Sequence, residues 1–131
     1  MNYGFVKVAA AVPQVKVADC FYNIQQIEGL MRQASQKEVQ IIAFPELSVT
    51  SYTCMDLFSQ ETLLRNAEKA LLDLVNNTAD LDLLTIVGCP LVSGSQLINA
   101  AVALQRGEIL GVVPKSYLPS YKEFQEERWF T

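Results

Sequence analysis

Glu46 and Lys115 are the two side chains of this 131-residue sequence whose type and setting point most directly to chemistry. Glu46 stands in Phe44-Pro45-Glu46-Leu47, just past an apolar run and behind a proline that restricts the backbone. A carboxylate held there is partly desolvated, the setting in which it can serve as a general base. Lys115 stands in Pro114-Lys115-Ser116-Tyr117-Leu118-Pro119, directly after Val112-Val113. An ammonium there can stabilise a developing oxyanion or hold a thiolate, more strongly where water is scarce. Together they suit the cleavage of an amide. Each also has an ordinary reading, as a loop-capping glutamate and as an exposed lysine.

The remaining candidates follow by residue type. There is no histidine, which excludes Ser-His-Asp and Cys-His mechanisms and His-ligated zinc within these residues. Cys20, Cys54 and Cys89 are odd in number and widely spaced, which argues against a disulfide framework and against a thiolate metal site. Cys89 reads as a small core residue. Cys20 opens a helix, whose dipole could activate it. Cys54 is the local candidate nucleophile near Glu46, though no spacing orients it there. The segment 116–130 is dense in aromatics among charges, and reads either as a pocket-lining loop or as a docked terminal segment.

Composition narrows the class. Half the residues are hydrophobic, enough for one folded domain over 1–131. The formal net charge is −4 with no basic run, so nucleic acid and anionic membrane are poor partners. No apolar stretch approaches the roughly 18 residues of a membrane span. The first residues carry no cleavage-site pattern. A soluble, cytoplasmic protein is expected.

The elements that must position Glu46 and Lys115 follow from periodicity. Residues 5–12 read as a strand. Asp19 caps a helix to about Lys37, with Phe21, Ile24, Ile27, Met31 and Ala34 as its buried stripe. Residues 39–44 are a short buried strand and 47–58 a loop. A second helix begins at Ser59 and buries Leu63, Ala67, Ala70, Leu71 and Leu74. Residues 83–89 form a strand, and 97–104 with 109–113 a hairpin around Arg106-Gly107-Glu108. The order β-α-β-α-β-β-β predicts an α/β fold with a mainly parallel sheet finished by antiparallel strands. Glu46 and Lys115 both fall past a strand's carboxyl end, where such sheets gather functional groups.

These segments in this order resemble the nitrilase, or carbon–nitrogen hydrolase, superfamily. The opening 6–14, Asn23, Phe44-Pro45-Glu46-Leu47, Val87-Gly88-Cys89-Pro90, Asn99-Ala100-Ala101 and the lysine block from Lys115 through Glu126 and Arg128 carry the likeness. The stretch from Thr50 to Phe58, ending Asp56-Leu57-Phe58, is similar to the amino-terminal glutaminase domain of the glutamine-dependent NAD synthetase branch. Ser51 stands where the family usually has glycine.

The resemblance implies roles. Glu46 would be the general base, Lys115 the stabiliser of the tetrahedral intermediate and Glu126 the supporting carboxylate. Tyr52, Tyr121 and Phe124 would line a pocket for glutamine. A cysteine thiolate would attack the glutamine amide, and the ammonia released would serve ATP-dependent NAD synthesis. The family's nucleophile follows the lysine block, and none of the three cysteines matches it. The chain is therefore expected to be roughly the first half of an αββα sandwich, a mixed sheet with two helices, inactive alone. No cofactor or metal is expected within it; ATP and magnesium would belong to a separate synthetase domain. A bare sheet face would favour homo-oligomers. Alternatives are another superfamily amidase or nitrilase, or a non-catalytic α/β binding domain.

Overall fold

Asp19 starts the first helix by accepting a hydrogen bond from the Tyr22 amide at 3.1 Å, which satisfies one of the amides a helix start leaves open. The computed structural model describes residues 4–118 and 126–131. Its elements are β1 (Val8–Ala10), α1 (Cys20–Gln36), β2 (Ile41–Ala43), α2 (Glu61–Asn77), β3 (Leu84–Ser93), β4 (Gln96–Gln105) and β5 (Glu108–Pro114). Two 3-10 segments, Tyr52–Ser59 and Glu126–Arg128, complete it. The strands form one sheet in the order β1-β2-β3-β4-β5. The pairs β1–β2 and β2–β3 are parallel, while β3–β4 and β4–β5 are antiparallel. This is a mixed α/β architecture as expected, but not a mainly parallel sheet: β1 and β2 are short, and the long ladders of β3–β4 and β4–β5 are antiparallel.

The two crossovers, β1-α1-β2 and β2-α2-β3, both step the same way across the sheet. Crossovers of one hand then put both helices on one face. Ile42, Val87, Cys89, Ala100, Val102 and Leu104 point into that face and are buried against the helices. α1 contributes Ile24, Ile27, Met31 and Ala34; α2 contributes Leu63, Ala67, Ala70, Leu71 and Leu74. Each large apolar side chain so buried contributes about 1.5–3 kcal/mol. The other face is uncovered. Val8 and Val113 are more than half exposed there, and every residue of β5 is exposed.

Several boundaries differ from expectation for physical reasons. β1 and β2 are only three residues each, because β1 pairs only with β2 and Pro45 cuts that partner short. Phe5 is 79% exposed and belongs to no strand. α2 begins at Glu61, with Gln60 as an N-cap that makes no side-chain hydrogen bond. Phe21 lies outside the buried stripe of α1, beneath the Lys69 ammonium, and Cys20 and Asn23 take the buried positions.

β3 runs past Cys89 through Pro90 to Ser93. Asn99, paired with Pro90, turns its carbonyl toward β5, where it accepts from the Lys115 amide. Pro90 therefore points its missing amide away from β4, on the side where β2 has already ended.

Candidate functional site

The Glu46 carboxylate is placed by a turn that lies directly on β3. Phe44 donates its amide to Ile86 at 2.9 Å, and Val49 donates to Gly88 at 3.1 Å. Between them the chain turns tightly, with Leu47 at φ 53°. Gly88 permits this approach: a Cβ there would stand 2.2 Å from the Leu47 nitrogen and 2.8 Å from the Glu46 carbonyl carbon. Glycine is required here for closeness, not for its own dihedrals. Asn23 holds the turn from the helix side. Its Nδ2 donates to the carbonyls of Lys16 and Val49, each at 2.9 Å, and its Oδ1 accepts from the Lys16 amide at 2.7 Å. A fully buried asparagine with its amide so satisfied ties α1 to the loop that carries Glu46.

Lys115 arrives from the end of β5. Its Nζ donates to Glu46 Oε1 at 2.7 Å and to Glu126 Oε1 at 2.8 Å. The structure thus brings together all three residues expected to be catalytic. Glu126 is 2% exposed, yet both its oxygens are engaged: Oε1 by Lys115 and Oε2 by the Tyr52 hydroxyl at 2.7 Å. A buried carboxylate held at both oxygens is fixed in place, with one oxygen facing the ammonium. Burial pulls the Lys115 pKa down, but the hydrogen bonds it donates to Glu126 and Glu46 outweigh it and hold the ammonium above the ordinary lysine value. Lys115 is therefore a stable cation, suited to stabilising negative charge.

A concavity of about 330 Å³ opens beside this cluster on the uncovered sheet face, lined among others by Phe44, Glu46, Ile86, Asn99, Val113 and Lys115. It is mostly apolar, with a few polar groups converging at one end, as small-molecule sites are. Tyr52, expected to line a substrate pocket, places its hydroxyl against Glu126. Tyr121 and Phe124 lie outside the described residues.

The chain end that carries Glu126 is latched by the Asp56-Leu57-Phe58 stretch. Asp56 pairs with Arg128 at 2.9 Å and accepts from the Trp129 indole at 3.2 Å. The Phe58 ring packs 6.0 Å from Trp129 and 5.0 Å from Phe130, centroid to centroid. Sequence reasoning recognised this stretch as a likeness without seeing that it positions Glu126. It likewise quoted Asn99 as part of the likeness but gave it no role, although its Nδ2 donates to Glu46 Oε1 at 2.7 Å. The available signal was an asparagine in an otherwise apolar strand.

The cysteines stand apart from this cluster. All three are free and buried. Burial, with smaller contributions from Cys54 and Asp19, pushes the Cys20 thiol up to about 11, so the helix start does not activate it. Burial likewise pushes Cys89 well above the usual thiol range. Cys54 donates its thiol to the Thr50 carbonyl at 3.1 Å and is not among the residues lining the concavity.

Fold and site together define an α/β protein with a carboxylate–ammonium–carboxylate centre at the carboxyl ends of its strands. The chain belongs to the carbon–nitrogen hydrolase family, whose model matches residues 7–130. A glutamine-dependent NAD(+) synthetase from Mycobacterium tuberculosis is 41% identical over 127 residues, spanning 97% of this chain and 19% of that protein. One from Aquifex aeolicus is 38% identical over 114 residues, spanning 87% of this chain and 20% of that protein. The chain thus spans about a fifth of the length of these curated relatives.

Among solved structures, a glutamine-dependent NAD(+) synthetase from Cytophaga hutchinsonii superposes with a TM-score of 0.89 at 24% identity, over 96% of this chain and 21% of that one. An amidase from Nesterenkonia superposes at 0.77 with 18% identity, over 96% and 47%. At such identities these two likenesses show the fold alone. Among the described residues no helix is long and apolar enough to cross a membrane.

Proposed function

We propose that this chain supplies the general base and the oxyanion-stabilising ammonium of a glutamine-hydrolysing site that feeds ammonia to ATP-dependent NAD synthesis. The observation that carries the reading is the Lys115 ammonium held 2.7 Å from Glu46 and 2.8 Å from Glu126 at the mouth of a concavity. The names of the relatives supply the substrate and the product.

In this reading Glu46 takes the proton of a cysteine thiol contributed from outside this chain. The thiolate adds to the side-chain amide carbon of glutamine, and Lys115 stabilises the oxyanion that forms. Collapse breaks the carbon–nitrogen bond, Glu46 returns its proton to the departing nitrogen, and ammonia leaves a thioester. Water, deprotonated by Glu46, then hydrolyses the thioester to glutamate and regenerates the thiol. Glu126 keeps Lys115 charged and aimed throughout. ATP and magnesium act in a separate domain. The cluster here sets two carboxylates around one ammonium, a negative balance unsuited to phosphate.

Two measurements test the reading. The reading frame downstream of Thr131 should encode a cysteine on a following strand end and, further on, a phosphate-binding domain; an immediate stop codon sinks the proposal. The protein carrying that complete frame should release ammonia from glutamine, with Glu46→Gln and Lys115→Met each lowering the rate about 100-fold or more. Unchanged rates in both variants overturn the assigned roles. The present chain by itself should release none, and release abolished by Cys54→Ala would make Cys54 the nucleophile.

A further inference from the structure

We propose that Asn99 is a positioning residue that commits one oxygen of Glu46 to the ion pair and so selects the other as the proton acceptor. The inference rests on the reading of Glu46 as the general base. It starts from an asymmetry in that carboxylate. Oε1 receives two donors, Asn99 Nδ2 at 2.7 Å and Lys115 Nζ at 2.7 Å. A carboxylate oxygen has two lone-pair directions, so these two donors saturate it. No described residue donates to Oε2. Proton transfer therefore falls to Oε2.

Lys115 cannot enforce this by itself. A lone ammonium beside a carboxylate pairs equally well with one oxygen or astride both, and the second arrangement ties up the oxygen that should accept the proton. A second donor on Oε1 breaks that symmetry. It must also be neutral, since another cation would compete with Lys115 for the carboxylate. An amide meets both conditions, and a carboxylate partner fixes which end of the amide faces it.

Asn99 is built for the task. It is 3% exposed, on a strand paired on both sides, so its side chain has little freedom. Its backbone carbonyl accepts the Lys115 amide at 2.7 Å. The same residue thus holds Glu46 through its side chain and Lys115 through its main chain. The spacing between base and ammonium is referred to a single rigid point in β4.

The test has a geometric arm and a kinetic arm, both on the protein with its complete reading frame. In a crystal structure of Asn99→Ala, Glu46 should rotate so that both oxygens lie within hydrogen-bond distance of Lys115 Nζ. In ammonia release, Asn99→Ala should lower kcat roughly 10- to 100-fold, part of what a mis-aimed base forfeits, with KM for glutamine changed less than about 3-fold. Asn99→Asp keeps the shape but sets an acceptor against Glu46, and should lose at least as much. Asn99→Ser with an ordered water at the vacated amide position should recover part of the loss.

A Glu46 carboxylate that stays in place in Asn99→Ala overturns the proposal, as does a loss that appears mainly in KM. If the wild-type protein releases no ammonia, the proposed function fails while the geometric arm still decides the role of Asn99. Should Asn99→Ala not fold, Asn99→Asp carries both arms.

Discussion

The backbone nitrogen of Leu47 crosses so close to Gly88 that a single added Cβ would stand 2.2 Å from it. The turn bearing Glu46 thus depends on an atom that β3 lacks. Gly88→Ala is expected to cost about 3 kcal/mol, at the upper end of overpacking penalties, because backbone rather than a flexible side chain must move. It should also lengthen the Glu46–Lys115 contact. Denaturant unfolding and a structure of the variant check both; a cost below about 1 kcal/mol with the contact intact contradicts the claim.

Ser51 adopts φ 78° and ψ 155°, a region that only glycine occupies comfortably. Its hydroxyl recovers little, with partners at 3.5 Å and 3.9 Å. Ser51→Gly should therefore raise stability by about 1 kcal/mol, the relieved strain less the added freedom of the unfolded chain. A lower melting temperature in the variant would count against it.

Thr85 Oγ1 is a buried side-chain oxygen with no hydrogen-bond partner among the described residues. Thr85→Val keeps the β-branched shape and removes the unpaired group. Stabilisation of about 1 kcal/mol is expected, measured by chemical denaturation. A destabilised variant would show that the hydroxyl has found a partner.

The pKa of Lys115 is raised on folding by its carboxylate partners. A group raised in the folded state contributes stability fully present below its unfolded pKa and lost as pH rises through the folded value. The contribution should hold from neutral pH to about 10 and decline above that. Comparing stability with Lys115→Met over that alkaline range isolates it: the gap between the two proteins should shrink as pH rises. A constant gap refutes the assignment.

The uncovered sheet face exposes Val8 and Val113. We expect this chain to self-associate through that face at micromolar concentration. Val113→Lys should shift the light-scattering mass toward monomer. A clean monomer in the wild type removes the expectation.

Local patterns carried much of this in the sequence. The apolar stripe of α2, the Asp19 cap, the succession of strands and helices along the chain and the candidacy of Glu46 and Lys115 rest on periodicity, proline positions and strand ends. Each depends on neighbours within a few residues, which is why one chain sufficed to read them. The extent of β1 and the reach of β3 through Pro90 were not legible, because pairing partners set them.

What the sequence by itself determined was a mixed α/β chain with a carboxylate and a lysine delivered to strand ends, and a family likeness that named Glu126 beside them. Only the tertiary structure decided that the three meet on one ammonium, that Asn99 and Lys115 donate to the same oxygen of Glu46, and that the Tyr52 hydroxyl reaches Glu126. Those facts depend on contacts between residues as distant as Glu46 and Lys115, or Tyr52 and Glu126. Such contacts exist only once β3, β4 and β5 are packed side by side, and no local rule of backbone preference encodes them.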